Sequence, residues 1–192
     1  MHHLYLCRHG ETPWNAEGRI QGRTDIPLSP KGFAQAEALA RFFENDKPCA
    51  NVIVSSPMSR ARQTAECIAK ATGLDMVIDD DLTEIHTGIY TGRTYAELAN
   101  DSGWQKHLEN PWLEGYGEFG ECAESVRSRV VRCFGRYEDA IWVSHASPIR
   151  HILMYLLDIP GHHLYHIAIE NAAATYLTFL NGHVKLRYLN RV

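Results

Sequence analysis

The sequence predicts an α/β fold: a mostly parallel central sheet flanked by helices, with a small inserted lid. Three observations predict it. Short apolar runs that stop abruptly at polar loops alternate with helical segments. An Asn-Gly pair late in the chain adds an antiparallel hairpin. One aromatic-rich stretch in the middle breaks the alternation.

The first run, His3–Cys7, is a buried strand that runs into the loop Arg8-His9-Gly10. Ser29-Pro30 opens a helix, with Ser29 as N-cap and Pro30 at the first position. Phe33, Ala36, Ala40 and Phe43 form its apolar face. Asn51–Val54 is a second buried strand. Ser56-Pro57 repeats the helix-opening signal, and Gly73 closes the helix that follows. Asp75–Ile78 is a third, shorter strand. Ala140–Ser144 is another, followed by His145 and a helix through Ile149–Leu157. Ala172–Phe179 and Val184–Leu189 flank Asn181-Gly182, the type I′ signal of a terminal hairpin. Residues 93–120 carry Trp104, Trp112, Tyr116 and Phe119 among Gly, Pro and Glu. This segment reads as a lid over the strand ends, where open α/β sheets bind ligands; its aromatics could equally form a private core.

The 192 residues suit one domain with that insertion. A hydrophobic content of 45% and a charged content of 22% exclude a disordered chain, a collagen and a disulfide miniprotein. No apolar run approaches the ~20 residues of a membrane span, and Met1–Arg8 has no signal-peptide pattern. Net charge is −4, so general nucleic-acid binding is not expected. The five cysteines are odd in number and form no C-x-x-C pair, which fits the reducing cytoplasm. The eleven histidines include no H-E-x-x-H or H-x-H spacing, so no metal or other cofactor is expected. Homo-oligomer formation is left open.

Polar groups arrive at three strand ends: Arg8-His9-Gly10-Glu11-Thr12, then Ser55-Ser56 with Arg60 and Arg62, then Ser144-His145. Guanidinium forks match phosphoryl oxygens in pairs, and helix N-termini add backbone donors. Each signal alone is weak, because a histidine at a strand end is more often structural. Their convergence on one sheet edge favours a phosphate site.

The stretch LCRHGETPWNAEGRIQGRTDIPLSPKGFAQA from Leu6 resembles the opening signature of the histidine phosphatase superfamily, the phosphoglycerate-mutase-like fold. SSPMSRARQTA at 55–65, LTEIHTGIYTG at 82–92, GECAESVRSRV at 120–130 and VSHASPIR at 143–150 resemble its later blocks, in order. Asn171 sits where the family often has an asparagine. The resemblance implies that His9 attacks phosphorus and becomes phosphohistidine. It implies that Arg8, Arg60 and His145 bind the phosphoryl oxygens, and that Glu84 protonates the leaving oxygen and later serves as base. Thr12, Asn15 and Gln21 match polar pocket positions. Arg23 reaches substrate or an ion pair, and Arg62 reaches phosphate or solvent. Glu11 or the run Asp79–Asp81 are the reserve acids, that run being otherwise a solvated turn.

Four positions depart from the pattern. Ala146-Ser147 follow His145 where the family usually has two glycines; Ser147 either donates to an oxyanion or caps the helix. Cys122 replaces a serine, and a thiol is a poorer donor. Thr91 stands in place of a glutamate. The resemblance implies a metal-independent phosphatase of a small phosphorylated substrate, near the bacterial branch with α-ribazole, broad-specificity and phosphoserine phosphatases. The alternatives are a phosphoglycerate mutase and a non-catalytic phospholigand-binding regulator. Glu109, Glu114, Glu118 and Glu121 outnumber the basic residues of the lid, so a nucleoside-like or uncharged alcohol is mildly favoured, unless those acids face solvent.

Overall fold

The computed structural model describes residues 1–192. In chain order its elements are β1 (His2–Arg8), α1 (Pro13–Ala16), α2 (Pro30–Asp46), β2 (Val52–Ser55), α3 (Ser59–Thr72) and β3 (Met76–Ile78). Short helices α4 (Tyr95–Leu98), α5 (Ser102–Glu109) and α6 (Pro111–Glu114) follow. The chain closes with α7 (Ala123–Phe134), β4 (Ala140–Ser144), α8 (Ala146–Leu156), β5 (Ala174–Leu180) and β6 (His183–Arg191). The sheet order is β3-β2-β4-β1-β5-β6. The first four strands run parallel, and β5 and β6 form the antiparallel edge. Asn181 and Gly182 have φ of 51° and 77°, as a type I′ turn requires.

Strand alternation sorts the core onto two faces. Leu4, Leu6, Val54 and Trp142 pack against Val126 and Val130 of α7 and Ile149 and Ile152 of α8. Tyr5, Cys7, Ile53 and Ile141 pack against Leu39 and Phe43 of α2 and Ala65 and Ile68 of α3. Arg8 pairs with Ser144, and Ser55 with Val143. The register therefore brings the ends of β1, β2 and β4 to one edge.

The buried face of α2 and the start of α3 differ from the sequence expectation. Ser29 caps α2 as expected, its Oγ accepting from the Gly32 N–H at 3.0 Å. However, Phe33 is 40% exposed, and the buried stripe is Gly32, Ala36, Leu39, Ala40 and Phe43. The first turn of α2 lies so close to Gly10 and Glu11 that Gly32 has no room for a Cβ, and no ring fits there. Helix α3 opens at Ser59 rather than at Ser56-Pro57. The Ser56 hydroxyl is engaged elsewhere, and Asp25 takes the cap role, accepting from the Ser59 N–H at 2.8 Å and hydroxyl at 2.7 Å.

Residues 93–120 fold into α4–α6 and a loop. Trp104 joins Ile20, Tyr90 and Leu98 in a small third core, with Tyr116 packed against it. The aromatic set does not act as one unit: Trp112 stacks on His151 at 5.7 Å, and Phe119 is 78% exposed. No helix is long and apolar enough to cross a membrane.

Candidate active site

His9 leaves β1 on a backbone held from both sides. Its N–H donates to Ser144 O at 3.0 Å. Its carbonyl accepts from Asn171 Nδ2 at 2.9 Å and from Ala172 N at 3.2 Å. The next residue, Gly10, donates its N–H to Thr64 Oγ1 of α3 at 3.1 Å. A side chain at Gly10 would collide with the Gly32 backbone, so the tight turn needs glycine. The His9 ring is 2% exposed, and Nδ1 lies 2.7 Å from Gly10 O. A carbonyl can only accept, so Nδ1 carries the proton and Nε2 keeps its lone pair. Burial first, then the Arg60 and Arg8 charges, hold the imidazole pKa well below its usual range. The ring is therefore neutral at pH 7.

His9 lines a cavity of about 240 Å³ together with Arg8, Asn15, Gln21, Arg60 and Glu84. Arg8 anchors one Nη on Ile169 O at 2.6 Å. Its buried Nε has no partner. Arg60 is 1% exposed and donates to Gly22 O and Thr24 O, both at 2.9 Å. Burial brings its pKa down to about 10, against the opposing pull of Glu84 and Asp25, so it stays cationic at pH 7.

Glu84 sits on the loop after β3. Ser144 Oγ donates to Leu82 O at 2.7 Å, and Arg23 Nε donates to Glu84 O at 3.1 Å. Glu121 ties this loop to α7: it accepts from Arg129 Nε at 3.0 Å and from Arg23 at 3.1 Å, while Arg129 reaches Asp81 O at 2.6 Å. Burial raises the Glu84 carboxyl pKa, partly offset by the Ile85 N–H at 2.9 Å and by Arg60 and Arg8. A raised carboxyl keeps a proton closer to neutrality, as a general acid must.

The remaining expected residues divide. Asn15 and Gln21 face the cavity, and Ser147 and Ala146 line it from the first turn of α8. Ser147 is not the cap, because α8 already begins at Ala146 with His145 as N-cap. Thr12 is fully buried behind the wall, where it caps α1 and donates to Gln21 Oε1 at 2.9 Å. His145 is also fully buried, beside His9 with ring centroids 5.1 Å apart. Its Nδ1 accepts from Arg60 Nε at 3.2 Å, and its Nε2 meets Ser56 Oγ at 2.8 Å. Arg23 is an ion-pairing residue, and Arg62 is exposed away from the cavity.

The reserve acids do not reach the cavity. Glu11 pairs with Lys31 at 2.7 Å. The Asp79–Asp81 run is a turn with Asp80 exposed, as expected, but Asp79 caps the turn at 80–82 and Arg132 and Arg136 pair with Asp79 and Asp81. Of the two alternatives for the lid acids, the structure shows the solvent-facing one. Glu109, Glu114 and Glu118 are exposed, and Glu121 is paired with Arg129. Arg19 and Arg150 line the cavity with Tyr95, Tyr116 and Tyr165. Arg150 closes the block VSHASPIR, where nothing local marks it as a cavity residue.

The family model described as histidine phosphatase superfamily (branch 1) matches residues 4–192. A protein named probable phosphoglycerate mutase GpmB, from Escherichia coli O1:K1, is 34% identical over 165 residues, covering 82% of this chain and 76% of that one. A phosphoserine phosphatase from Entamoeba histolytica, solved with 3-phosphoglyceric acid, superposes with a TM-score of 0.87 at 30% identity, over 99% of this chain and 97% of that one. A mycobacterial glucosyl-3-phosphoglycerate phosphatase, solved with VO3, gives a TM-score of 0.85 at 27% identity over 100% of both chains.

Proposed function

This chain belongs to the histidine phosphatase superfamily, branch 1, and on that premise we propose that it is a metal-independent phosphomonoesterase working through a phosphohistidine at His9. The observation that carries the reading is the 2.7 Å contact from His9 Nδ1 to Gly10 O, which leaves Nε2 free at the cavity floor.

In the first step the Nε2 lone pair attacks phosphorus, and the P–O bond to the alcohol breaks. The departing oxygen takes the Glu84 proton. Arg8 and Arg60 neutralise the phosphoryl oxygens, the main source of transition-state stabilisation in phosphoryl transfer. The bond from Nδ1 to Gly10 O steadies the positive charge that the ring gains on phosphorylation. In the second step Glu84, now a carboxylate, takes a proton from water. The water oxygen attacks phosphorus, the P–N bond breaks and Nε2 recovers its lone pair. His145 holds Arg60 through its Nδ1, and so positions that guanidinium for the phosphoryl oxygens.

One observation favours a second reading, a mutase that returns the phosphoryl group to another hydroxyl: the name of the 34% identical relative. A single assay separates the two. With exhaustive chelation, the phosphatase reading expects inorganic phosphate from small phosphomonoesters at an undiminished rate. Isomerisation of 2-phosphoglycerate without phosphate release would establish the mutase instead. A strict magnesium requirement would contradict the metal-independent mechanism.

A further inference from the structure

The cavity wall carries a third arginine, Arg150, beyond the two assigned to the phosphoryl group. Ala146, Ser147 and Arg150 all line the cavity. Their spacing of three and four residues puts them on one face of α8. His145, at the N-terminus of this helix, lies beside His9. Arg150 therefore stands about one helical turn, roughly 5–6 Å, further along the wall than the phosphate end.

Arg150 is also held in place. Its Nε donates to Ile167 O at 2.8 Å, and its guanidinium lies 5.5 Å from the centre of the Tyr165 ring. Tyr165 is fixed in turn, its hydroxyl 2.5 Å from His107 Nε2 and 2.9 Å from the Tyr116 hydroxyl. Tyr116 and Tyr165 both line the cavity. No carboxylate pairs with Arg150, whereas Arg19, also in the cavity wall, is bound to Glu17 at 2.9 Å and to Gly92 O at 2.6 Å. The Nη atoms of Arg150 make no hydrogen bond within the protein. A planar guanidinium with its two terminal nitrogens free is a fork for a carboxylate.

We propose that Arg150 is a specificity-determining residue that receives a carboxylate on the leaving alcohol. The substrates are then short phosphorylated hydroxy acids or amino acids. In such molecules two or three carbons separate phosphate from carboxylate, a span that fits one turn of α8. The neutral Tyr116–Tyr165 hydroxyl pair lies beside this position to meet a hydroxyl or ammonium group on the intervening carbon. A second phosphoryl group fits less well, because two arginines, Arg8 and Arg60, serve one phosphoryl group and Arg150 alone is left as an open fork. The inference rests on the phosphomonoesterase reading above.

The test compares substrates that differ only at the carboxylate: O-phosphoserine against O-phosphoethanolamine, and 3-phosphoglycerate against glycerol 3-phosphate. The wild-type kcat/KM should favour the carboxylated member of at least one pair by about 10- to 100-fold, as expected for a charge-assisted bond. Arg150→Gln should abolish that preference, mainly through KM, and Arg150→Lys should retain part of it. If Arg150→Gln does not fold, the wild-type ratio and the lysine variant carry the test. No wild-type preference, or a preference that survives Arg150→Gln, overturns the proposal. So does an equal fall on all four substrates, which would mark Arg150 as structural. In these cases phosphate is still released, and the phosphomonoesterase reading stands. Failure to hydrolyse any of the four, or p-nitrophenyl phosphate, would sink both.

Discussion

Arg60 Nε donates to His145 Nδ1 across 3.2 Å inside the protein. This contact determines the state of both residues. An imidazole nitrogen that accepts from a guanidinium cannot carry a proton, so the His145 hydrogen is on Nε2, facing Ser56. Burial, followed by the Arg60 charge, holds the His145 pKa well below the usual histidine range. The positive charge at the phosphate end therefore belongs to the arginines, and the histidines remain neutral.

The pair should behave as one unit in kinetics. His145→Ala and Arg60→Lys should each lower kcat/KM on p-nitrophenyl phosphate by about 10²–10³-fold. The double variant should lose far less than the product of the two, because removing either partner already disables the other. A double-mutant cycle with strictly multiplying losses would show that His145 and Arg60 work independently.

Glu84→Gln should discriminate between leaving groups. An alkoxide needs the proton, whereas p-nitrophenolate leaves without one. Phosphorylation of the enzyme by an alkyl phosphate should slow by about 10²–10⁴-fold, and by p-nitrophenyl phosphate much less. First-turnover rates isolate this step from any role of Glu84 as base. Equal losses on both substrates would assign Glu84 to positioning.

Acid should destabilise the fold before carboxylates titrate. His151 is 1% exposed, and burial brings its pKa down to about 4. Above the unfolded histidine value of about 6.5 both states are neutral there and nothing is gained or lost. Between about 6.5 and 4 only the unfolded chain takes up the proton, so stability falls with pH, by about 3 kcal/mol in total from this residue. Urea unfolding of His151→Gln across that window should show a slope shallower by up to about 1.4 kcal/mol per pH unit. An unchanged slope would mean that His151 titrates normally in the native state.

Cys122 is the N-cap of α7, with φ −79° and ψ 155°, yet its side chain makes no capping bond. Serine in the same geometry would supply one. Cys122→Ser should raise stability by about 0.5–1 kcal/mol, seen as a Tm higher by about 1–4 °C. Unchanged or lower stability would show that the thiol already serves.

Much of this was legible in the sequence. Strands and helices announce themselves by periodicity and by Ser-Pro and Asn-Gly punctuation, and His9, Glu84, Asn15 and Gln21 lie in dense motif blocks. What was illegible depends on tertiary partners. Nothing local says that Ser56 spends its hydroxyl on His145 so that Asp25 supplies the start of α3. The direction in which lid acids point depends on packing of Trp104 and Tyr116, not on their count. The place of Arg150 in the cavity wall depends on how α8 packs against the rest of the chain, which no local pattern encodes.

The proposed mechanism turns on transfer of the phosphoryl group to Nε2 of His9. Rapid acid-free quench of the enzyme with a ³²P-labelled phosphomonoester should trap label on the protein. That label should be stable to alkali, lost in acid, located on the peptide containing His9, and absent from His9→Ala along with turnover. Undiminished turnover by His9→Ala, or label on any other residue, would contradict it.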